Sequence, residues 1–197
     1  MKTITNILIT LLLTISCIAQ AQITTDSSTH LAFKGVPIDG TLSEFVLKMK
    51  QNGFTQTSSD EGISILAGDF AAYNGCTIGV ATIKGKDLVC KIVVLFPTQS
   101  SWSLLSSNYF NLKQLLTEKY GQPVESVEQF ANGDPESDGI KMVEVSLDKC
   151  KYFTTYQTNK GNIQLSIRCD RLNPCVMLAY IDKINGDIIR AKAKDDL

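Results

Sequence analysis

The stretch Met142–Cys169 reads MVEVSLDKCKYFTTYQTNKGNIQLSIRC and contains two runs rich in β-branched and aromatic residues. Between them lies Thr158–Asn162, where Asn and Gly supply the positive φ that a tight turn needs. The pattern predicts the longest β-hairpin of the chain. If Thr158 pairs with Gly161, every other opposed pair follows from that register.

This register separates an apolar face from a polar face, because successive side chains of a strand point to opposite sides. A slip of one residue would exchange the two faces, so the hydrophobic pattern and the turn support the same register. Phe153 is the only large apolar residue on the polar face. The predicted apolar face pairs Tyr156 with Ile163, Thr154 with Leu165, Tyr152 with Ile167 and Cys150 with Cys169. The polar face carries Gln157, Thr155, Lys151, Asn162, Gln164, Ser166 and Arg168.

Helical spacing predicts one helix before each set of strands. Thr41 and Glu44 form a capping box that opens a helix over about residues 41–52, and Ser101 caps a second helix that ends at Gly121. Strands are predicted at 63–70, 75–84 and 88–96 in the first half. The second half carries a strand at 124–130, the hairpin, a strand at 175–182 and a short tail helix from Gly186.

Within the first half, a turn at Gly85–Asp87 sets a register that pairs Cys76 with Phe96 and Cys90 with Thr82. Val89, Val93 and Leu95 make the strand after this turn apolar on its second face as well. This is typical of a central strand or of one that meets a neighbouring layer.

Both halves therefore read as a helix followed by an antiparallel meander. We expect an α+β fold of two such repeats, residues 30–98 and 99–197, with the helices packed on one face of the sheet. The two repeats are expected to form one compact unit.

The N-terminus predicts export. Residues 1–21 combine an early Lys2, an apolar run and Ala19-Gln20-Ala21, the small-x-small pattern that precedes signal peptidase cleavage. Residues 22–29 are then a flexible polar leader of a periplasmic or secreted protein. Lipidation at Cys17 is a less favoured alternative, because the residues before it match the lipoprotein motif only loosely.

Charge and hydropathy exclude two classes of partner. Loss of Lys2 with the signal peptide lowers 19 basic side chains to 18 against 20 acidic ones, which gives a formal charge of −2. Binding to nucleic acid depends on clustered Lys and Arg, so we expect none. No segment of the mature chain approaches 18 apolar residues, so we expect no membrane span.

An exported chain permits disulfides. The hairpin register places Cys150 opposite Cys169, close enough for a bridge, with two buried thiols as the alternative. Cys76 and Cys90 lie too far apart along their ladder to bridge each other. Either one could pair with Cys175, which leaves a free thiol.

Two segments resemble a known group of proteins. They are His30–Thr41 (HLAFKGVPIDGT), together with Phe96-Pro97, Trp102 and Tyr109, and Glu118–Pro123 (EKYGQP). They resemble uncharacterised secreted proteins of Gram-negative gut bacteria, a group that implies no catalytic residues. In plan, the helix-plus-sheet tandem is similar to the β-lactamase inhibitory protein fold, which presents hairpin loops and a concave sheet to a partner. That similarity concerns architecture alone.

Catalytic chemistry has little support in the sequence. His30 is the only histidine and no G-x-S-x-G elbow accompanies it, so it is interpreted as a surface or strand-edge residue rather than a general base. No G-x-G-x-x-G or P-loop pattern is present, and we expect no cofactor.

An acidic loop gives a weak metal candidate. Asp134, Glu136 and Asp138 stand at alternate positions before Gly139, as in the first half of a calcium loop. The twelfth position is Val145 instead of Glu, so a solvated acidic loop is the favoured interpretation and no metal site is predicted.

We therefore expect a non-enzymatic module that binds a protein or an envelope component through an exposed sheet face and hairpin tips. The candidate binding residues are Phe153, Asp87, Lys86, Lys160 and Tyr73. Two alternatives remain. One is a hydrolase that acts on a glycan or peptide through carboxylates, and the other is a purely structural envelope protein.

Overall fold

The computed structural model describes residues 28–170 and 173–195. The predicted signal peptide, Cys17 and most of the leader lie outside the described residues. Within them the chain forms four helices: α1 (Leu42–Gln51), α2 (Trp102–Tyr120), α3 (Asp138–Ser146) and α4 (Lys183–Asp195). The strands are β1 (Ala32–Phe33), β2 (Val36–Pro37), β3 (Thr55–Asp60), β4 (Ile63–Phe70), β5 (Tyr73–Thr82), β6 (Val89–Leu95), β7 (Glu125–Phe130), β8 (Cys150–Thr158), β9 (Gly161–Asp170) and β10 (Asn173–Asp182).

Eight of these strands form one antiparallel sheet in the order β3-β4-β5-β6-β10-β9-β8-β7, and β1 pairs with β2 in a small separate hairpin. Two four-stranded meanders therefore meet where β6 pairs with β10. The helices lie on one side of the sheet, which confirms the predicted α+β class. Both predicted units share this sheet, while their equivalence as repeats stays a prediction.

The predicted hairpin register is confirmed over most of its length. Thr158 pairs with Gly161, and the same register continues to the pair of Phe153 and Ser166. The first-half register is also confirmed from Thr77 to Ala81. A bulge between Ala81 and Thr82 then shifts the partner of Thr82 from Cys90 to Val89.

The predicted disulfide between Cys150 and Cys169 is not formed. Pairing of β8 with β9 stops at Phe153, and Cys150 instead pairs with Phe130 of β7. The ladder therefore does not hold the two thiols opposite each other. All five cysteines of the described chain are free: Cys76, Cys90, Cys150, Cys169 and Cys175.

Two elements differ from the sequence prediction. The residues before Cys150 were expected to extend the hairpin, but Asp138–Ser146 is helical, with Ser137 accepting from the Ile140 N–H at 3.4 Å. This cap and the acidic first turn favour a helix over a strand of similar apolar content. The strand β3 was not predicted, because TQTSSD is polar; an edge strand with exposed side chains does not need an apolar pattern.

The helices end and pack as the sequence indicates. Thr41 and Glu44 form the predicted capping box of α1, and Ser101 accepts from the Leu104 N–H at the start of α2. Both helices bury one apolar face against the sheet. The buried residues are Phe45, Val46 and Met49 of α1 and Trp102, Leu105, Tyr109, Leu112 and Leu116 of α2. None of the described helices is both long and apolar enough to cross a membrane.

A buried carboxylate joins the N-terminal hairpin to the C-terminal helix. Asp182 is 0% exposed and accepts from the Leu31 N–H at 2.7 Å and from the Asn185 N–H at 2.9 Å. The Nδ1 atom of His30 lies 3.0 Å from the Asp182 carboxylate. Asn185 adds side-chain hydrogen bonds to the carbonyls of Ile38 and Val89. This network fixes β1, β2 and α4 on the sheet.

Candidate binding face

The two faces of the sheet differ in what covers them. Tyr109 of α2 bonds to Thr154 of β8 at 2.6 Å, and Trp102 packs against Tyr152 with ring centroids 5.0 Å apart. Phe153 lies between these two residues, so its side chain points to the side away from the helices. We call that side the open face.

Strand pairing places a continuous row of side chains across the open face. Each pairing step connects residues on the same side of the sheet, and the row crosses all eight strands. Its members, from β7 to β3, are Val127, Phe153, Ser166, Met177, Leu95, Thr77, Ala67 and Thr55. Four of its members, Val127, Phe153, Met177 and Leu95, are large and apolar, although a solvated face of an antiparallel sheet is ordinarily polar.

The neighbouring row is also apolar at its centre. Ala179 pairs with Val93, which pairs with Gly79, which pairs with Ile65. We define the open-face patch as Phe153, Met177, Leu95, Val93 and Ile65, all of which are half-buried. Its surroundings on the same face are polar, with Lys151, Arg168, Gln164 and Thr155 beside Phe153. An apolar centre with a polar rim is typical of a protein interaction surface.

A buried hydroxyl lies inside the first row. Ser166 is 1% exposed, and among the described residues its Oγ has no hydrogen-bond partner. Its cross-strand neighbours on this face are Phe153 and Met177.

Sequence reasoning found this surface only in part. It identified Phe153 and noted the second apolar face formed by Val93 and Leu95. It missed Met177 and Ile65, because their position beside Phe153 and Val93 depends on the strand order. The apolar run of β10, CVMLAY, was the signal available: like β6, it is apolar on both faces.

The other predicted binding residues do not join the open-face patch. Tyr73 lies on the helix side, where it packs against Phe96 with centroids 5.0 Å apart and donates to Asn108 of α2 at 3.4 Å. Tyr73 therefore does not belong to the open face, and its predicted role in binding stays a prediction. Asp87 accepts from the Leu42 N–H at 2.8 Å at the start of α1. Lys86 is exposed beside it.

The two hairpin tips share one edge of the sheet, but they are not equivalent. Lys86 belongs to the β5–β6 loop, whereas Lys160 belongs to the β8–β9 turn, where its carbonyl accepts from the Lys183 N–H. In the two meanders, counted outward from the β6–β10 junction, β9 takes the position of β5 and β8 takes the position of β4. The β8–β9 turn therefore corresponds to the β4–β5 turn and not to the β5–β6 loop. The two tips therefore do not occupy corresponding positions in the two meanders.

The acidic loop and the histidine have structural partners. Asp134 lies 3.1 Å from the Lys141 amine, and Asp138 accepts from the Ser103 N–H at 3.2 Å. No group of three His, Cys, Asp or Glu side chains within residues 28–170 and 173–195 is arranged to hold a metal ion. His30 is not a free surface residue, since it lies between Asp182 and Asp39 in the network that anchors β1.

Burial changes the chemistry of several thiols. Removal from water raises the pKa of Cys150 to about 12 and the pKa of Cys175 to about 11. Both thiols therefore stay protonated at neutral pH and are poor nucleophiles.

Comparisons with models of protein families, with curated proteins and with solved structures found no match to this chain. The resemblance to secreted proteins of gut bacteria, and the architectural similarity to the β-lactamase inhibitory protein fold, stay predictions.

Proposed function

We propose that this protein is an exported, non-enzymatic binding module that holds a protein partner on the open face of its sheet. The observation that carries the proposal is the open-face patch, a group of half-buried apolar side chains that includes Phe153 and Met177 on the side of the sheet away from the helices. The hydrophobic core lies on the helix side of the sheet, so apolar side chains on the opposite, solvated face do not contribute to that core.

The shape and composition of the patch favour a protein partner. Large side chains such as Phe and Met are enriched at the centres of protein interfaces, where they exclude water on contact. The polar rim, which includes Lys151 and Gln164, provides hydrogen bonds that fix the orientation of the partner. A partner with its own apolar cluster and complementary polar rim satisfies both parts.

The experiment compares three immobilised proteins in capture from an envelope extract of the producing organism. These are the wild type, the double variant Phe153→Ala/Met177→Ala, and the matched control Phe110→Ala. Phe110 is 44% exposed on α2, on the helix side of the sheet. The proposal predicts one partner that the wild type and the control retain and the double variant loses.

The captured partner is then purified and titrated against each protein. We expect the double variant to bind at least about tenfold more weakly, because two central side chains lose their contacts. Equal affinity of all three proteins, or an equal loss with Phe110→Ala, would show that the open face is not the binding surface.

The hydrolase alternative gains no observation of its own. Asp39 and Asp182 both lie beside His30. The Asp182 carboxylate also accepts hydrogen bonds from the N–H groups of Leu31 and Asn185. These contacts anchor structural elements. The purely structural alternative predicts that the capture experiment recovers no partner that depends on Phe153.

A further inference from the structure

A second concave site lies on the helix side of the sheet. It is a cleft of about 460 Å³ between the β1–β2 hairpin, the end of α2 and the β8–β9 turn. Three lysines line it, Lys34, Lys119 and Lys160, and its lining contains no carboxylate. For a chain with a formal charge of −1, this is a local concentration of positive charge.

The floor of the cleft is aromatic and carries hydroxyl groups. Tyr120, Tyr180 and Phe70 line it, and Tyr180 is only 5% exposed. Burial raises the pKa of Tyr180, and the nearby Tyr120 raises it further, so the phenol remains a hydrogen-bond donor near neutral pH. Lys119 lies over the Tyr120 ring, with its Nζ atom 5.1 Å from the ring centroid.

The position of Lys34 is an independent indication. Lys34 has a φ of 51° at the tip of the β1–β2 hairpin, where the next residue, Gly35, has a φ of 76°. Two-residue turns of this kind favour Asn or Gly at the first position, because other side chains are strained there. The turn therefore places a lysine beside the cleft at a cost that Asn would avoid.

We propose that this cleft binds a small organic anion, whose oxyanion group meets Lys34 and Lys119 and whose body lies on the aromatic floor. Ammonium groups and phenol hydroxyls all donate hydrogen bonds, which suits a phosphate, sulfate or carboxylate. The site is on the opposite side of the sheet from the open-face patch, so the two proposals stand or fall separately.

Phenyl phosphate is the probe for the test, with inorganic phosphate and phenol as its two halves. Amide chemical shifts of the mature chain are followed during titration. We expect saturable shifts around Lys34 and Lys160 with a dissociation constant of about 1 mM or lower for phenyl phosphate. Inorganic phosphate should bind more weakly, because it leaves the floor uncovered, and phenol should give no saturable shift at these residues.

Two variants distinguish a built site from general surface charge. The double variant Lys34→Asn/Lys119→Gln should weaken phenyl phosphate binding at least about tenfold, which is about 1.4 kcal/mol. The control is Lys48→Gln, because Lys48 and Lys119 both lie in the last turn of a helix. It should leave the affinity unchanged.

Lys34→Asn alone keeps the test independent of folding, since Asn is favoured in this turn and should maintain or raise the denaturation midpoint while binding weakens. The proposal is overturned by the absence of saturable shifts, by shifts that map outside the cleft, or by an equal loss of affinity in Lys48→Gln.

Discussion

Replacement of Asp182 by alanine tests the contact that fixes both ends of the described chain. The carboxylate is 0% exposed and accepts two backbone hydrogen bonds, from Leu31 at 2.7 Å and from Asn185 at 2.9 Å. The second of these bonds caps the start of α4. Asp182→Ala leaves both N–H groups without their acceptor, and it removes one of the two carboxylates beside the His30 imidazole.

The expected loss follows from these contacts. Loss of a helix cap costs about 0.5–2 kcal/mol, and loss of a hydrogen bond to a charged group costs about 1.5–3 kcal/mol. Their sum is about 2–5 kcal/mol, a large part of the stability of a typical domain. Asp39→Ala is the control, because Asp39 is a half-exposed carboxylate that lies 3.5 Å from His30 and accepts from the Asn185 side chain at 3.3 Å, while no backbone N–H of the described residues donates to it. It should cost less than about 1 kcal/mol.

Urea unfolding measures both variants, with the single tryptophan, Trp102, and far-ultraviolet circular dichroism as two probes. Hydrogen exchange at the Leu31 amide reports the local contact directly, and its protection should fall in Asp182→Ala. A loss below about 1 kcal/mol, or a loss no larger than that of Asp39→Ala, would show that Asp182 does not anchor these elements.

Three further predictions concern other parts of the fold. Hydrogen bonds with Thr41 lower the pKa of Glu44 below its ordinary 4.5, so the capping box stabilises the fold above that pH. This contribution is lost as the pH falls. The variant Glu44→Gln should therefore flatten the acid limb of the curve of unfolding free energy against pH. Iodoacetamide at about pH 8 should label half-exposed Cys169 at least about tenfold faster than buried Cys150, as measured by mass spectrometry. A disulfide-linked peptide of these two cysteines would contradict the structure. Gly161→Ala should lower the free energy of unfolding by about 3 kcal/mol, because the added Cβ would collide with the Ile181 carbonyl. Urea unfolding measures this change. A loss below about 1 kcal/mol would show that the turn relaxes around the alanine.

The α+β class and the hairpin register were predictable because they depend on local patterns. The turn at Asn159 and the period-two alternation around Phe153 specify the pairing of β8 with β9 without reference to any other strand. Capping residues such as Thr41 and Ser101 specify helix starts in the same local way.

The errors arose where local signals competed or were absent. The segment that ends at Ser146 has enough apolar residues for a strand, yet the Ser137 cap and the acidic first turn give a helix. The end of the β8–β9 ladder was not visible in the pattern either. The register extrapolated to Cys150 therefore placed a disulfide where the structure has free thiols.

The amino-acid pattern alone places Phe153 on the face opposite Thr154, because alternation along one strand is a local property. The residues that surround Phe153 depend on the packing of distant strands. Met177 and Leu95 lie in the same row because β10 inserts between β9 and β6, a long-range pairing that no short segment encodes. The lysine cleft likewise joins Lys34 and Lys119, which are distant in the chain and meet only when the N-terminal hairpin packs beside the end of α2.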